Sequence, residues 1–220
     1  MSDKLRLRFQ KTGRAVYISH LDLMQTMQRA FSRAEYALKY SEGYNPHPLI
    51  SIALPLSVGT ASLCELMDFR LIDEADLTAL PARLTAALPE GITVLAAYEA
   101  ERKCAEIKWI SIEGRLEYDE RDCSEMADAL REFFSRESIV IIKKTKRGTG
   151  ESDIRPAIRE IWFSDQGDHV AVKATISAQE PTLNPELLAE ALRQLRPELA
   201  PDFAKFTRIE TYDKDMNVFR

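Results

Sequence analysis

The chain has 220 residues, 45% hydrophobic and 30% charged, a balance that excludes a disordered or low-complexity protein and suits one large domain or two small ones. Its apolar runs are too short to cross a bilayer, and the strand-like pattern directly after Met1-Ser2-Asp3-Lys4 leaves no signal region, so a cytoplasmic protein without membrane contact is expected. A net charge of −5 excludes a generally basic nucleic-acid binder, and the odd set Cys64, Cys104 and Cys123, without C-x-x-C spacing, reads as reduced thiols rather than a metal or redox motif.

Lys4 to Gln10 alternates Leu5, Leu7 and Phe9 with Lys4, Arg6 and Arg8, the period of a strand with one buried face, and Gly13 ends it. Ser19 is a good helix N-cap, with Asp22 three residues on in the manner of a capping box. The helix that follows carries Leu23, Met24, Met27, Phe31 and Ala34 on one face and Gln25, Arg29, Ser32 and Arg33 on the other. Residues 49–56 and 66–72 read as strands around Gly59, residues 75–88 as a helix that begins late or is broken at Pro81, and residues 92–98 as a fourth strand. That order, β-α-β-β-α-β, is the ferredoxin-like one.

Residues 99–106 read as a linker, after which the layout restarts. A strand is expected at 107–118, a buried strand at 139–144, a helix at 124–134, and a hairpin of 154–163 with 170–177 across Asp165-Gln166-Gly167. Asn184 and Pro185 start a helix carrying Leu188, Leu192 and Leu195, and residues 206–212 close the chain as a strand. The expected fold is therefore α+β, with two tandem ferredoxin-like halves built on antiparallel sheets: residues 1–104 and residues 105–220.

Charge is segregated along the chain. Residues 1–48 carry Lys4, Arg6, Arg8, Lys11, Arg14, Arg29, Arg33 and Lys39 against Asp3, Asp22, Glu35 and Glu42, and Lys143-Lys144-Thr145-Lys146-Arg147 forms a second basic run in an otherwise acidic remainder. Arg6, Arg8, Arg29, Arg33, Lys143 and Lys146 are candidate phosphate contacts. The run Ser41-Glu42-Gly43-Tyr44-Asn45-Pro46-His47-Pro48 crowds polar side chains into a short loop stiffened by two prolines, which restrict Asn45 and His47 to extended backbone. With Ser19 and Asp22 it supplies the candidate ligand-binding residues Ser41, Glu42, Tyr44, Asn45 and His47. Asp153 and Arg155 join them, on one strand face and within ion-pair reach. His20 falls on the apolar stripe of the first helix and reads either as a core histidine or as an imidazole acting on a ligand. No zinc site is expected, because no Asp or Glu stands at metal spacing near His20 or His47.

These motifs carry two resemblances. Leu5-Arg6-Leu7-Arg8-Phe9-x-Lys11-x-Gly13, Tyr17-Ile18-Ser19-His20-Leu21-Asp22, the Ser41 to Pro48 string and Asp153-Ile154-Arg155-Pro156 resemble the radical SAM-linked family, domains of unknown function found alone or fused behind a B12-binding radical S-adenosylmethionine protein. The resemblance spans essentially the whole chain. It implies a radical SAM protein as partner, holding an iron–sulfur cluster, S-adenosylmethionine and B12, while this chain, which lacks the C-x-x-x-C-x-x-C ligands, binds no cofactor itself. The tandem layout with a His near the first helix start also resembles Cas6-type CRISPR RNA endonucleases, in which His20 would be a general acid or base, although nothing after Gly167 is glycine where those proteins carry a glycine-rich loop. Three functions follow: an accessory module that binds structured RNA through its basic face, a domain that docks onto the radical SAM partner or binds a small anion, and a metal-independent RNA endonuclease.

Overall fold

The computed structural model describes residues 4–145 and 148–220, with backbone alone at 144 and 145. The chain is a mixed α+β protein that divides into two compact units, one running to Glu106 and including Arg220, the other Ile107–Phe219.

In the first unit, β1 (Leu5–Lys11) is followed by α1 (His20–Arg33), β2 (Ile50–Ile52), β3 (Ala61–Phe69), α2 (Leu80–Ala87) and β4 (Ile92–Glu99). The sheet order is β4–β1–β3–β2, every pairing antiparallel. One face of the sheet, with Leu7, Phe9, Met67 and Phe69, packs against Leu23, Met27, Ala30 and Phe31 of α1 and Leu80 and Leu84 of α2. Burying each such side chain stabilises the unit by about 1.5–3 kcal/mol. The helices also cap one another: Arg33 at the end of α1 donates to the Ala87 carbonyl at the end of α2 at 3.2 and 2.5 Å, and Arg83 of α2 donates to the Ala34 carbonyl at 2.7 Å. Cationic groups at helix C-termini satisfy orphan carbonyls and oppose the dipole.

Two expected elements shift for identifiable reasons. The strand expected over 49–56 shrinks to β2, because Leu54 turns the chain at φ 49° and Pro55 has no N–H for a ladder. The second helix begins at Leu80 and keeps Pro81 in its first turn, where a missing N–H costs nothing. Gly91 leads into β4 at φ 89°, and a Cβ there would lie 2.4 Å from the Thr12 carbonyl oxygen.

The second unit contains β5 (Trp109–Glu117), α3 (Cys123–Phe134), β6 (Val140–Thr145), β7 (Gly148–Asp153), β8 (Ile158–Asp165), β9 (Val170–Ser177), α4 (Glu186–Leu195) and β10 (Phe203–Tyr212). Its main sheet runs β10–β5–β9–β8, again antiparallel, and β6 pairs with β7 in a separate two-stranded sheet. Asp122 caps α3 by accepting from the Ser124 and Glu125 N–H groups, and Phe134 stacks on Phe163 with ring centroids 5.3 Å apart. The Asn184 side chain accepts from Glu186 N–H at the start of α4. The strand expected to be buried at 139–144 is buried on one face only, with Ile139 and Ile141 inside and Val140 and Ile142 exposed, and β7 has no apolar pattern to announce it. The strand expected from Ile154 starts only at Ile158, after a short 3-10 turn at Arg155–Ala157.

Gly114 sits in β5 between Phe206 of β10 and Val172 of β9, and a Cβ there would meet them at 2.7 and 2.6 Å. Gly114→Ala is expected to destabilise this unit by about 1–3 kcal/mol through overpacking. A urea titration followed by circular dichroism, showing a lower midpoint at unchanged slope, checks it.

Candidate functional site

The helix-start motif is built from β1 outward. Lys11, 2% exposed, donates from Nζ to the Ile18 carbonyl at 3.0 Å, fixing the 3-10 turn Gly13–Tyr17 that leads into α1. Burial lowers the Lys11 pKa, and the charge of Glu65 acts against that shift. Ser19 then caps α1: its Oγ accepts from Asp22 N–H at 3.2 Å and donates to Asp22 Oδ2 at 2.7 Å. Ser19 and Asp22 thus engage each other locally, and His20, the first helical residue, is half-buried. Tyr17 and Leu21 beside it are each 72% exposed, an outward apolar pair that periodicity reads only as residues off the core stripe.

The second motif is a closed loop with an exposed tip. Tyr40 bridges to Pro48, Ser41 N–H donates to the His47 carbonyl at 2.8 Å, and Leu49 N–H donates to the Lys39 carbonyl at 2.8 Å. The Ser41 hydroxyl adds a lock, accepting from His47 N–H at 3.1 Å and lying 2.9 Å from His47 Nδ1. Glu42 to Pro46 stand out beyond this neck, turned by Gly43 at φ 119°, and Tyr44 is as exposed as in a free peptide (108%). Glu42, Asn45 and His47 are exposed as well. Below the neck a groove of about 300 Å³ runs between residues 47–51 on one side and Lys4, Asp68, Phe69 and Arg70 on the other.

Asp68 anchors that groove. Arg6 lies directly across from it on β1, and the guanidinium grips the carboxylate through Nε at 2.6 Å and a second nitrogen at 3.2 Å, while Lys4 Nζ stands 2.6 Å from Oδ2. Arg6 also donates to the Arg102 carbonyl at 2.8 Å and to Cys104 Sγ at 3.2 Å, and the Cys104 thiol donates to Asp68 at 3.4 Å. Burial of Asp68 acts to raise its pKa, but the hydrogen bonds and charges of Arg6 and Lys4 prevail and hold it below the ordinary carboxylate value. Burial and the Asp68 charge push Cys104 up to about 11, so its thiol stays protonated at neutral pH. Arg6, expected to face phosphate, is 0% exposed and enclosed in this cluster. The reason is that residues 102–104 cover the sheet face that alternation assigns to solvent.

The other basic candidates fall into distinct settings. Arg29 is exposed on α1, Arg8 is half-buried in β1, and Arg33 caps α2. In the second unit Asp153 accepts from Ile139 N–H at 2.9 Å, Ser138 Oγ at 2.9 Å and Arg155 N–H at 3.0 Å, and these bonds, led by the Ile139 amide, lower its pKa. The Arg155 guanidinium donates to the Arg136 and Ile158 carbonyls at 3.1 and 2.7 Å, bracing the turn into β8 instead of making the expected ion pair with the Asp153 carboxylate. Lys143 lines a groove beside α4, and Lys146 lies outside the described residues. No helix among the described residues is long and apolar enough to cross a membrane.

Asp68→Asn is expected to cost about 3–5 kcal/mol at neutral pH, because it takes away the carboxylate that the buried Arg6 grips. Since the folded pKa of Asp68 is lowered, its stabilisation is present above the ordinary carboxylate range of about 3.9 and is lost as pH falls through the folded value. Urea titrations of both proteins should therefore differ most at neutral pH and converge in strong acid.

A family model described as "Uncharacterized protein conserved in bacteria (DUF2344)" matches residues 4–185, and the chain belongs to that family. No curated protein matches. Among solved structures, a chain from the "Crystal Structure of a Cbf5-Nop10-Gar1 Complex" is similar at 11% identity and a TM-score of 0.46, covering 94% of this chain and 48% of that one, so this chain spans about half of its length. An unknown protein from Galdieria sulphuraria is similar at 10% identity and a TM-score of 0.27, covering 93% and 97% of the two chains. The acetolactate synthase small subunit from Thermotoga maritima is similar at 11% and 0.25, covering 96% of each.

Proposed function

We propose that this member of the family is a non-catalytic docking module for a radical S-adenosylmethionine enzyme, gripping it through the loop Ser41–Pro48. The observation that carries the reading is the setting of Tyr44: a fully exposed aromatic at the tip of a loop whose neck is closed by the Ser41–His47 hydrogen bonds. A tyrosine held outward on a stiff loop offers a large contact area at little loss of conformational freedom, the property of an interface anchor. The resemblance of the loop's sequence to the radical SAM-linked family supports the choice of partner class. We also read the two units as ferredoxin-like halves. The orders β4–β1–β3–β2 and β10–β5–β9–β8 correspond position by position once β6 and β7 are set aside as an insertion, which supports that reading.

The RNA-binding reading keeps Arg8, Arg29 and Lys143, whereas Arg6 is enclosed and Arg33 and Arg155 hold main-chain carbonyls. Docking is therefore the stronger conclusion.

Calorimetry of the purified chain against a purified B12-binding radical SAM enzyme from the same organism tests it. Tyr44→Ala is expected to weaken the complex roughly 30-fold, the effect of losing a hot-spot side chain of about 2 kcal/mol, with the fold unchanged. Equal affinity for wild type and Tyr44→Ala rejects the loop as the docking element. Absence of the complex, with salt-sensitive retention of cellular RNA in a gel shift, replaces docking by RNA binding.

A further inference from the structure

A second surface lies in the other unit, at the free edge of β6. Ile154 N–H donates to the Ile139 carbonyl at 3.0 Å at the end of the β6–β7 ladder. Bonded pairs alternate along an antiparallel ladder, so the odd-numbered residues of β6 face β7 and the main-chain groups of Val140 and Ile142 point to the opposite edge. At that edge Gln194 of α4 imitates a neighbouring strand. Its Oε1 accepts from Ile142 N–H at 2.7 Å and its Nε2 donates to the Ile142 carbonyl at 3.0 Å, the two bonds that a residue of a third antiparallel strand would make.

Beside this contact a groove of about 760 Å³ is lined by Val140, Ile142, Leu187 and Leu195, with Lys143 and Glu190 at its charged positions. Val140 and Leu195 are each 41% exposed and Ile142 58%, so apolar surface remains open to solvent where a strand edge and a helix meet. Glu190 is paired with Arg193 at 3.4 Å and accepts from the Gln194 amide at 2.9 Å, which leaves Lys143 to set the sign of the groove.

We propose that this groove binds an extended acidic peptide segment of a partner protein, added as a third strand to β6 with the Gln194 amide displaced. Main-chain bonds to the Val140 and Ile142 edge supply the pairing, an apolar side chain sits between β6 and α4, and flanking carboxylates face Lys143. Gln194 holds the place of the incoming strand in the free protein. The site is independent of the Ser41–Pro48 loop and stands or falls without it.

The test is fluorescence anisotropy of the full chain with a capped, labelled peptide Glu-Val-Glu-Val-Glu-Val-Glu. Saturable binding is expected, weakened about tenfold or more by Ile142→Asp or Lys143→Glu and strengthened by Gln194→Ala, while Tyr44→Ala leaves it unchanged. A peptide with proline at alternate positions, lacking the N–H donors, should not bind. Circular dichroism melts identical to wild type keep the Ile142 variant interpretable, since its side chain is mostly exposed. The proposal is overturned by no saturation in either wild type or Gln194→Ala, by equal binding of a Lys-Val peptide, or by equal binding of the proline peptide. Dimerisation of Gln194→Ala in sedimentation, without peptide binding, assigns the edge to a second copy of this chain instead.

Discussion

The first unit is organised around a charged pair inside its sheet. Arg6 and Asp68 face each other across β1 and β3, and both are removed from water. Removing two such ions from water is costly, and a buried pair holds only when geometry and further hydrogen bonds compensate. Here the grip is two-pronged, Lys4 adds a second cation, and the Arg102 carbonyl and Cys104 sulfur accept from the same Arg6 nitrogen, Nη2, that reaches Asp68 Oδ2. Its structural return is specificity. A slip of one residue between β1 and β3 would strand both charges, so the pair enforces a register that hydrophobic alternation alone would favour less strongly. It also pins residues 102–104 over the sheet and holds Asp68 as a wall of the groove below the loop.

From that frame the exposed features inherit their rigidity. The loop neck rests on Pro48, Leu49 and β2, which pairs with β3 at Phe69, Asp68 and Met67, so the tip carrying Tyr44 is tied by a few residues to the strand bearing the ion pair. Helix α1 is fixed at its start by Lys11 reaching the Ile18 carbonyl and at its end by the exchange of arginine caps with α2.

Much of this was legible in the residues. The alternation of Leu5, Leu7 and Phe9, the Ser19 cap, the three-and-four spacing of Leu23, Met24, Met27, Phe31 and Ala34, and the proline-stiffened loop are local signals, and local physics produced the matching elements. What escaped was non-local. Arg6 looked solvent-facing because the strand pattern says nothing of a segment nearly a hundred residues later that folds over it. The strand Gly148–Asp153 has neither apolar alternation nor β-branched density, and it exists because β6 offers it a ladder. Arg155 and Asp153 do not share a strand, because the chain turns between them, and each has backbone partners in place of the expected ion pair. The exposure of Tyr17 and Leu21 is not legible in the motif that contains them, because an outward apolar residue has no periodic signature of its own.

The side-chain amide of Gln194 has a further bearing on the protein's life in concentrated solution. Open strand edges template the stacking of like chains, and natural proteins usually blunt them with bulges, prolines or charge. Here a helix supplies one removable amide that occupies the main-chain groups of Ile142 in the middle of β6, flanked by Lys143. The consequence is colloidal: once α4 has folded against β6, the edge that carries Val140 and Ile142 is a poorer template for fibre growth, because the main-chain groups of Ile142 are already occupied.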